Sequence, residues 1–168
     1  MKIGEKGIQL IKHYEGLHDG NLQRIGLQPK RCPSGIWTVG WGHAIVYKGK
    51  FLKGLENEVL ANELFKDLTI EQADQLFLTD IPVYENRVNA QNLIINQDQF
   101  DSLVSHTYNT GGSETLFKLI RTKAAPNIIY NWFTQRYIMG DGVVLPGLVY
   151  RRKTEAILFQ TGVLEFYN

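Results

Sequence analysis

The strongest constraint on this chain is a change of pattern part-way along it. From about residue 69 onward, apolar residues recur at helical spacing. Residues 17 to 54 read differently, punctuated by Gly20, Gly26, Pro29, Pro33 and Gly35. They also hold Ile36-Trp37-Thr38-Val39-Gly40-Trp41-Gly42-His43, a run rich in β-branched and aromatic residues that turns at its glycines. A 3.6-residue period buries one face of a helix, whereas short β-rich runs between turn residues suit strands. The chain is therefore expected to be α+β and predominantly helical. A small β lobe at about 17–54 and a helical lobe at about 69–168, with a helix at 3–15 packed on it, would form one domain over 1–168.

Local signals refine this frame. Ile8, Ile11 and Tyr14 share a helix face ahead of Gly16, a suitable terminator. Val46-Tyr47 and Phe51-Leu52 flank Lys48-Gly49-Lys50, which predicts a hairpin. Leu55 to Phe65 reads as a short helix. Thr69 and Gln72 have capping-box spacing and open a helix to about Val88, which Pro82 is expected to kink or split near Ile81. Further helices are expected at about 96–109, 113–121, 126–138 and 147–160.

Composition removes several functional classes. Eighteen basic and seventeen acidic residues leave a net charge of +1, so no global field calls for nucleic acid as a partner. No segment approaches the ~20 apolar residues of a membrane span, so no stable membrane insertion is expected. The first residues hold no apolar run long enough for a signal peptide, so the protein is expected to stay in the cytoplasm where it is made. Cys32 is the only cysteine and can form no internal disulfide. His13, His18, His43 and His106 lack metal-site spacing, so neither metal nor other cofactor is expected. Gly40-Trp41-Gly42 lacks the further glycine and helix of a dinucleotide loop. Ser102 and Ser105 lie near Asp101 and His106, but no nucleophile elbow surrounds either.

Glu15 is the carboxylate that stands out. It continues the Ile8–Ile11 face at the end of its helix, beside the glycine-rich loop. Desolvation there raises a carboxyl pKa, as a general acid requires. The alternative is a helix-end glutamate turned to water.

Tyr14-Glu15-Gly16-Leu17, followed by Cys32-Pro33-Ser34-Gly35-Ile36-Trp37-Thr38-Val39-Gly40-Trp41-Gly42-His43, resembles the catalytic region of phage-type lysozymes, the endolysins of glycoside hydrolase family 24. In that family a helix ends in Glu-Gly. An Asp or Cys then stands six positions before the Thr of a Thr-Ile/Val-Gly-x-Gly-His signature, as Cys32 does before Thr38. The likeness extends through Asp74-Gln75-Leu76-Phe77 with Asp80, through Asn96 to Ser105 with Tyr108-Asn109-Thr110-Gly111, and through Leu145 to Arg152 with Glu155-Ala156. Cys32 follows Glu15 by seventeen positions, across a longer loop than the family carries. Such a loop can still return the chain to the same place, because closure entropy grows slowly with length.

The resemblance implies a lysozyme-like fold and an enzyme acting on the glycan strand of peptidoglycan, with a monomer as the default expectation. It would cleave between N-acetylmuramic acid and N-acetylglucosamine with inversion, and be released from the host cytoplasm to the wall. It further implies Glu15 as general acid, with Thr38 and Cys32 positioning the attacking water. Tyr108, Asn109 and Thr115 would contact substrate, and His43 and Asp80 would form a structural pair. Lys30 and Arg31 stand where they could lower the Cys32 pKa. Trp37 and Trp41 fit either sugar stacking or core packing. Arg151-Arg152-Lys153 reads as a solvated helix start. A lytic transglycosylase and a noncatalytic glycan-binding module remain open beside the hydrolase.

Overall fold

The computed structural model describes residues 1–32 and 34–168. Pro33, read above as loop punctuation and part of the motif, lies outside the described residues. The chain forms two compact units, Glu15–Ile81 and Met1–Tyr14 with Pro82–Asn168. The α+β, mainly helical class expected from the sequence is the observed one.

The unit Glu15–Ile81 contains a three-stranded antiparallel sheet of β1 (Lys30–Arg31), β2 (Trp37–Val39) and β3 (His43–Ala44) in that order. The register pairs Lys30 with Thr38 and Val39 with His43. Strands β4 (Val46–Tyr47) and β5 (Lys50–Phe51) make the expected hairpin. Its turn residues Lys48 and Gly49 both adopt left-handed φ, 49° and 76°, which matches the twist of the flanking strands. A 3-10 turn at Leu55–Asn57 leads into α2 (Glu58–Phe65). Leu27, Trp37, Val39, Ile45, Leu52, Ala61, Leu68 and Ala73 form the core. Gly40 closes β2 against the helix that carries Ala73: a Cβ there would lie 2.8 Å from the Ala73 Cβ, at φ +61°. Only glycine fits.

The long loop after Gly16 is sewn to this unit by its backbone. His18 N donates to Gly40 O (2.7 Å), Gly20 N to Gln28 O (3.0 Å), and Leu27 and Leu68 exchange both bonds. The Asp19 carboxylate accepts from the amides of Asn21 and Gln28 (3.0 and 3.2 Å), a turn-forming role. The extension thus closes on itself and delivers β1 beside Thr38.

Helix α3 (Ile70–Asn89) begins at the expected capping box, with Gln72 N on Thr69 Oγ1 (3.2 Å) and Thr69 N on Gln72 Oε1 (2.9 Å). Of the kink or split expected at Pro82, the split does not occur: the helix is continuous, and the division between the two units falls at Ile81/Pro82. The carbonyl that Pro82 leaves without a helical partner is that of Leu78, an exposed residue, so water can serve it.

In the other unit, α1 (Glu5–Glu15) contributes its residues through Tyr14. The amides of Gly4 and Gly7 donate to the buried Asp101 carboxylate at 2.8 and 3.2 Å. A Cβ on Gly7 would come within 2.9 Å of the Asp101 Cβ, so this helix glycine allows the close approach. Helix α4 (Gln97–Thr110) is buried at every position from Phe100 to Thr107. It starts with an Asn96–Gln99 capping box and stops at Gly111, φ +82°. Around it come α5 (Glu114–Arg121), α6 (Pro126–Gln135) and α7 (Pro146–Thr161), with α7 packed on both α4 and α6.

Two expectations need correction here. The helix placed at 126–138 ends at Gln135, because Arg136 is extended and Tyr137 adopts φ +55°. The chain then makes a hairpin, β6 (Met139–Gly140) with β7 (Val143–Val144), around Asp141-Gly142. Arg151 and Arg152 are not solvated but 2% and 0% exposed. Glu155 explains their burial: it lies one turn on, fully buried, and binds Arg151 Nε at 3.2 Å and Arg152 Nε at 3.0 Å. Ser105 Oγ donates to the same carboxylate at 2.7 Å, and Arg152 Nη2 to Asn109 Oδ1 at 3.0 Å. The charges are held by partners instead of by water.

Candidate active site

Glu15 is the last residue of α1, followed by Gly16 at φ +65°, so the helix terminates where the sequence provides a left-handed residue. The Glu15 side chain is partly buried. Three residues on, His18 is held by its own backbone bond to Gly40. Its Nδ1 lies 2.7 Å from Thr38 Oγ1. Thr38 itself is 6% exposed, in the middle strand of the sheet, and its hydroxyl donates to Lys30 O at 3.0 Å. Burial depresses the His18 pKa; the Glu15 carboxylate opposes this and the Lys30 ammonium reinforces it.

His18 lines a cavity of about 660 Å³ with Lys30, Arg31, Cys32, Ser34 and Gly35. Cys32 is a free, partly buried thiol, with Sγ 3.0 Å from Ser34 Oγ. Partial burial disfavours its ionisation, but hydrogen bonds from the Ser34 hydroxyl and from backbone groups at Ile36, Ser34 and Cys32 outweigh it. The net shift is downward. Local hydrogen bonding produces this shift, not the neighbouring Lys30 and Arg31 suggested by the sequence.

The unit thus relates Cys32 and Thr38 through His18, which touches Thr38 and shares a cavity with Cys32. His18 was missed in the sequence, where it counted only as a histidine without metal spacing. The sole signal available was its place three residues after Glu15. His43 Nδ1 lies 2.9 and 3.1 Å from the two oxygens of Asp80, within the same unit. Trp37 is buried in the core with Nε1 on Gly54 O (2.8 Å), and Trp41 Nε1 donates to Asp74 Oδ1 (2.6 Å). Their indoles hold the fold together.

The remaining candidates belong to the helical unit. Tyr108 is partly buried and packs against Tyr84, ring centroids 4.6 Å apart. Asn109 is exposed but fixed by Arg152. Thr115 is exposed on a cavity of about 390 Å³ that Ser113, Trp132, Arg136 and Tyr137 also line. Among the described residues, no group of three or more His, Cys, Asp or Glu side chains could hold a metal ion. No helix there is long and apolar enough to cross a membrane.

Comparison with known proteins identifies the family and the fold. Residues 20–155 match the phage lysozyme family, a span that includes Cys32 and Thr38 and begins after Glu15. An endolysin of Acyrthosiphon pisum secondary endosymbiont phage 1 is 30% identical, over 96% of this chain and 99% of its own length. The endolysin of Bacillus phage PZA is 29% identical, over 96% of this chain and 56% of its own. Among solved structures, the endolysin from Escherichia coli O157:H7 phage FAHEc1 superposes with a TM-score of 0.73 at 26% identity, covering 98% of this chain and 97% of that one. The muramidase domain of SpmX from Asticaccaulis excentricus gives 0.66 at 29%, covering 95% and 98%.

Proposed function

The chain belongs to the phage lysozyme family of glycoside hydrolases, and from that membership we propose that it hydrolyses the β-1,4 bond between N-acetylmuramic acid and N-acetylglucosamine in bacterial peptidoglycan. Glu15 gives its proton to the leaving glycosidic oxygen, and water attacks the opposite face of the sugar, inverting the anomeric configuration. Cys32 and Thr38 position that water. The hydroxyl proton of Thr38 is committed to Lys30 O, so Thr38 acts as an acceptor, and it reaches the cavity through His18, which it contacts at 2.7 Å. Tyr108, Asn109 and Thr115 contact the glycan from the helical unit. The enzyme works as a monomer without metal or cofactor, and is held in the host cytoplasm until lysis.

One observation carries this reading. His18, three residues after Glu15, has Nδ1 2.7 Å from the Thr38 hydroxyl and lines a cavity with the Cys32 thiol. A hydroxyl and a thiol are thereby gathered at one imidazole, just after the helix that ends in Glu15, in a chain whose fold resembles that of endolysins.

A turbidity assay on isolated cell walls tests the assignment. Glu15→Gln is expected to lower the lysis rate by about 10² to 10⁴, the usual worth of a general acid, with little change in stability. Lysis by Glu15→Gln at the wild-type rate would overturn it. Undiminished turnover by Cys32→Ala would remove the thiol from the mechanism.

A further inference from the structure

The hydrogen bonds around Thr38 leave only one arrangement of protons. A threonine hydroxyl has a single proton, and Thr38 donates it to Lys30 O at 3.0 Å. His18 Nδ1, 2.7 Å away, must therefore bring the proton for their shared bond. The neutral imidazole is fixed as the Nδ1–H tautomer, with a bare lone pair on Nε2 across the ring. Lys30 supplies both the carbonyl that starts this chain and, with Arg31, Cys32, Ser34 and Gly35, the wall of the cavity that His18 faces. Thr38 is not among the residues lining that cavity. Thr38 therefore acts on a water there through the imidazole whose tautomer it fixes.

We propose that His18 is a further catalytic residue, the general base that accepts the proton of the attacking water at Nε2. This rests on the glycosidase reading above. As the water oxygen bonds to the anomeric carbon, its proton passes to Nε2. The bond from that carbon to the leaving oxygen breaks with its electron pair on oxygen, which takes the Glu15 proton. Turnover ends with an imidazolium and a carboxylate, and solvent returns the proton from one to the other. Thr38 holds the base in the right tautomer, in the way a carboxylate or carbonyl orients histidine elsewhere. Cys32 keeps its place beside the water.

The charged surroundings suit a base. Burial and the Lys30 ammonium keep the imidazole below its usual range and hence unprotonated near neutral pH, while Glu15 limits the drop. Arg31 and Cys32 are the other titratable side chains on the same cavity. A base whose own protonation abolishes activity gives an acid limb to kcat/KM against pH.

The test compares wild type, His18→Asn and Glu15→Gln on a soluble peptidoglycan fragment. An asparagine amide can donate to Thr38 as Nδ1 does, but offers no base. His18→Asn is expected to lose about 10²-fold or more in kcat with KM little changed, and to lose the acid limb. Sodium azide, an anion that attacks without giving up a proton, is expected to restore cleavage and yield a glycosyl azide. If His18→Asn keeps its kcat within about threefold and its acid limb, while Glu15→Gln is inactive, the base assignment fails and the glycosidase reading stands. Full activity of Glu15→Gln brings down that reading instead. In the wild-type protein, ¹⁵N NMR of the imidazole at neutral pH is expected to show Nδ1 protonated and Nε2 bare, and the opposite tautomer would overturn the proposal without any mutation.

Discussion

The two units contain the same small device put to opposite uses. In Glu15–Ile81, His18 Nδ1 meets the hydroxyl of Thr38, whose proton goes to a backbone carbonyl. In the helical unit, His106 Nδ1 meets the hydroxyl of Thr110 at 3.3 Å, and that hydroxyl donates to the His106 carbonyl at 2.8 Å. Both imidazoles are therefore Nδ1–H tautomers. Their environments part company from there. His18 faces a cavity, whereas His106 is 0% exposed, ringed by Trp132, Phe133 and Tyr137, with Nε2 unpartnered among the described residues. A histidine built one way is open to chemistry when its ring lines a cavity, and is a packing element when aromatic rings seal it. The tautomer alone does not make a base.

Polar burial follows the same division. The helical unit locks Glu155, Arg151 and Arg152 into a network where every charge has a charged partner, and none exceeds 3% side-chain exposure. The largest expected effect comes from breaking it. Glu155→Gln leaves two buried guanidinium groups without their carboxylate and is expected to cost about 3 to 5 kcal/mol in denaturant unfolding. A cost below about 1 kcal/mol would mean that the network is far better hydrated than its burial indicates.

His106 gives the next effect, and its sign follows from linkage. Burial, then the charges of Arg152 and Arg151, hold its pKa well below the usual imidazole value. Below about pH 6.5 the unfolded chain binds a proton that the folded one refuses, so stability is full above that pH and falls as the medium acidifies. The loss approaches about 1.4 kcal/mol per pH unit. His18 acts in the same sense. Comparing wild type with His106→Met from pH 7 to 5 isolates the sealed histidine, because the variant is expected to be visibly less acid-sensitive. An unchanged pH slope would erase the contrast between the two imidazoles.

The smallest effect probes the β-rich unit, where local backbone geometry takes the part that buried charge plays elsewhere. Gly49 sits at φ +76° in the β4–β5 turn, and a Cβ added there would meet nothing within 4 Å. Gly49→Ala is expected to lower the melting temperature by the equivalent of about 1 kcal/mol, from backbone strain alone. No shift in thermal unfolding would show that this hairpin lies outside the cooperative unit.

How much of this was legible depends on the range over which each feature is determined. Helices α3, α4 and α7 follow from apolar period, capping boxes and Pro146, all local signals. Glu15, Cys32 and Thr38 came from a short motif. Strand β1 was not legible: Lys30-Arg31 has no strand character and pairs only because the loop before it closes. The β6–β7 hairpin carries a strong turn dipeptide in Asp141-Gly142, but its strands are two residues each, too short for a period-2 pattern, and the helix expected at 126–138 took in the residues just before them. Arg151 and Arg152 look like surface charge until Ser105 and Glu155 are seen beside them, one partner 46 positions away. His18 is hidden for the same reason, since Thr38 lies 20 positions on. Local rules find elements and motifs, and partners distant in sequence decide what a polar side chain does.

The central claim is that Glu15 supplies the proton for hydrolysis of the glycan. Mass spectrometry of peptidoglycan digested by wild type and by Glu15→Gln measures that chemistry at the bond itself. The account predicts fragments with reducing muramic acid ends from the wild type and almost none from the variant. Anhydro ends from the wild type, or equal yields from both proteins, would contradict it.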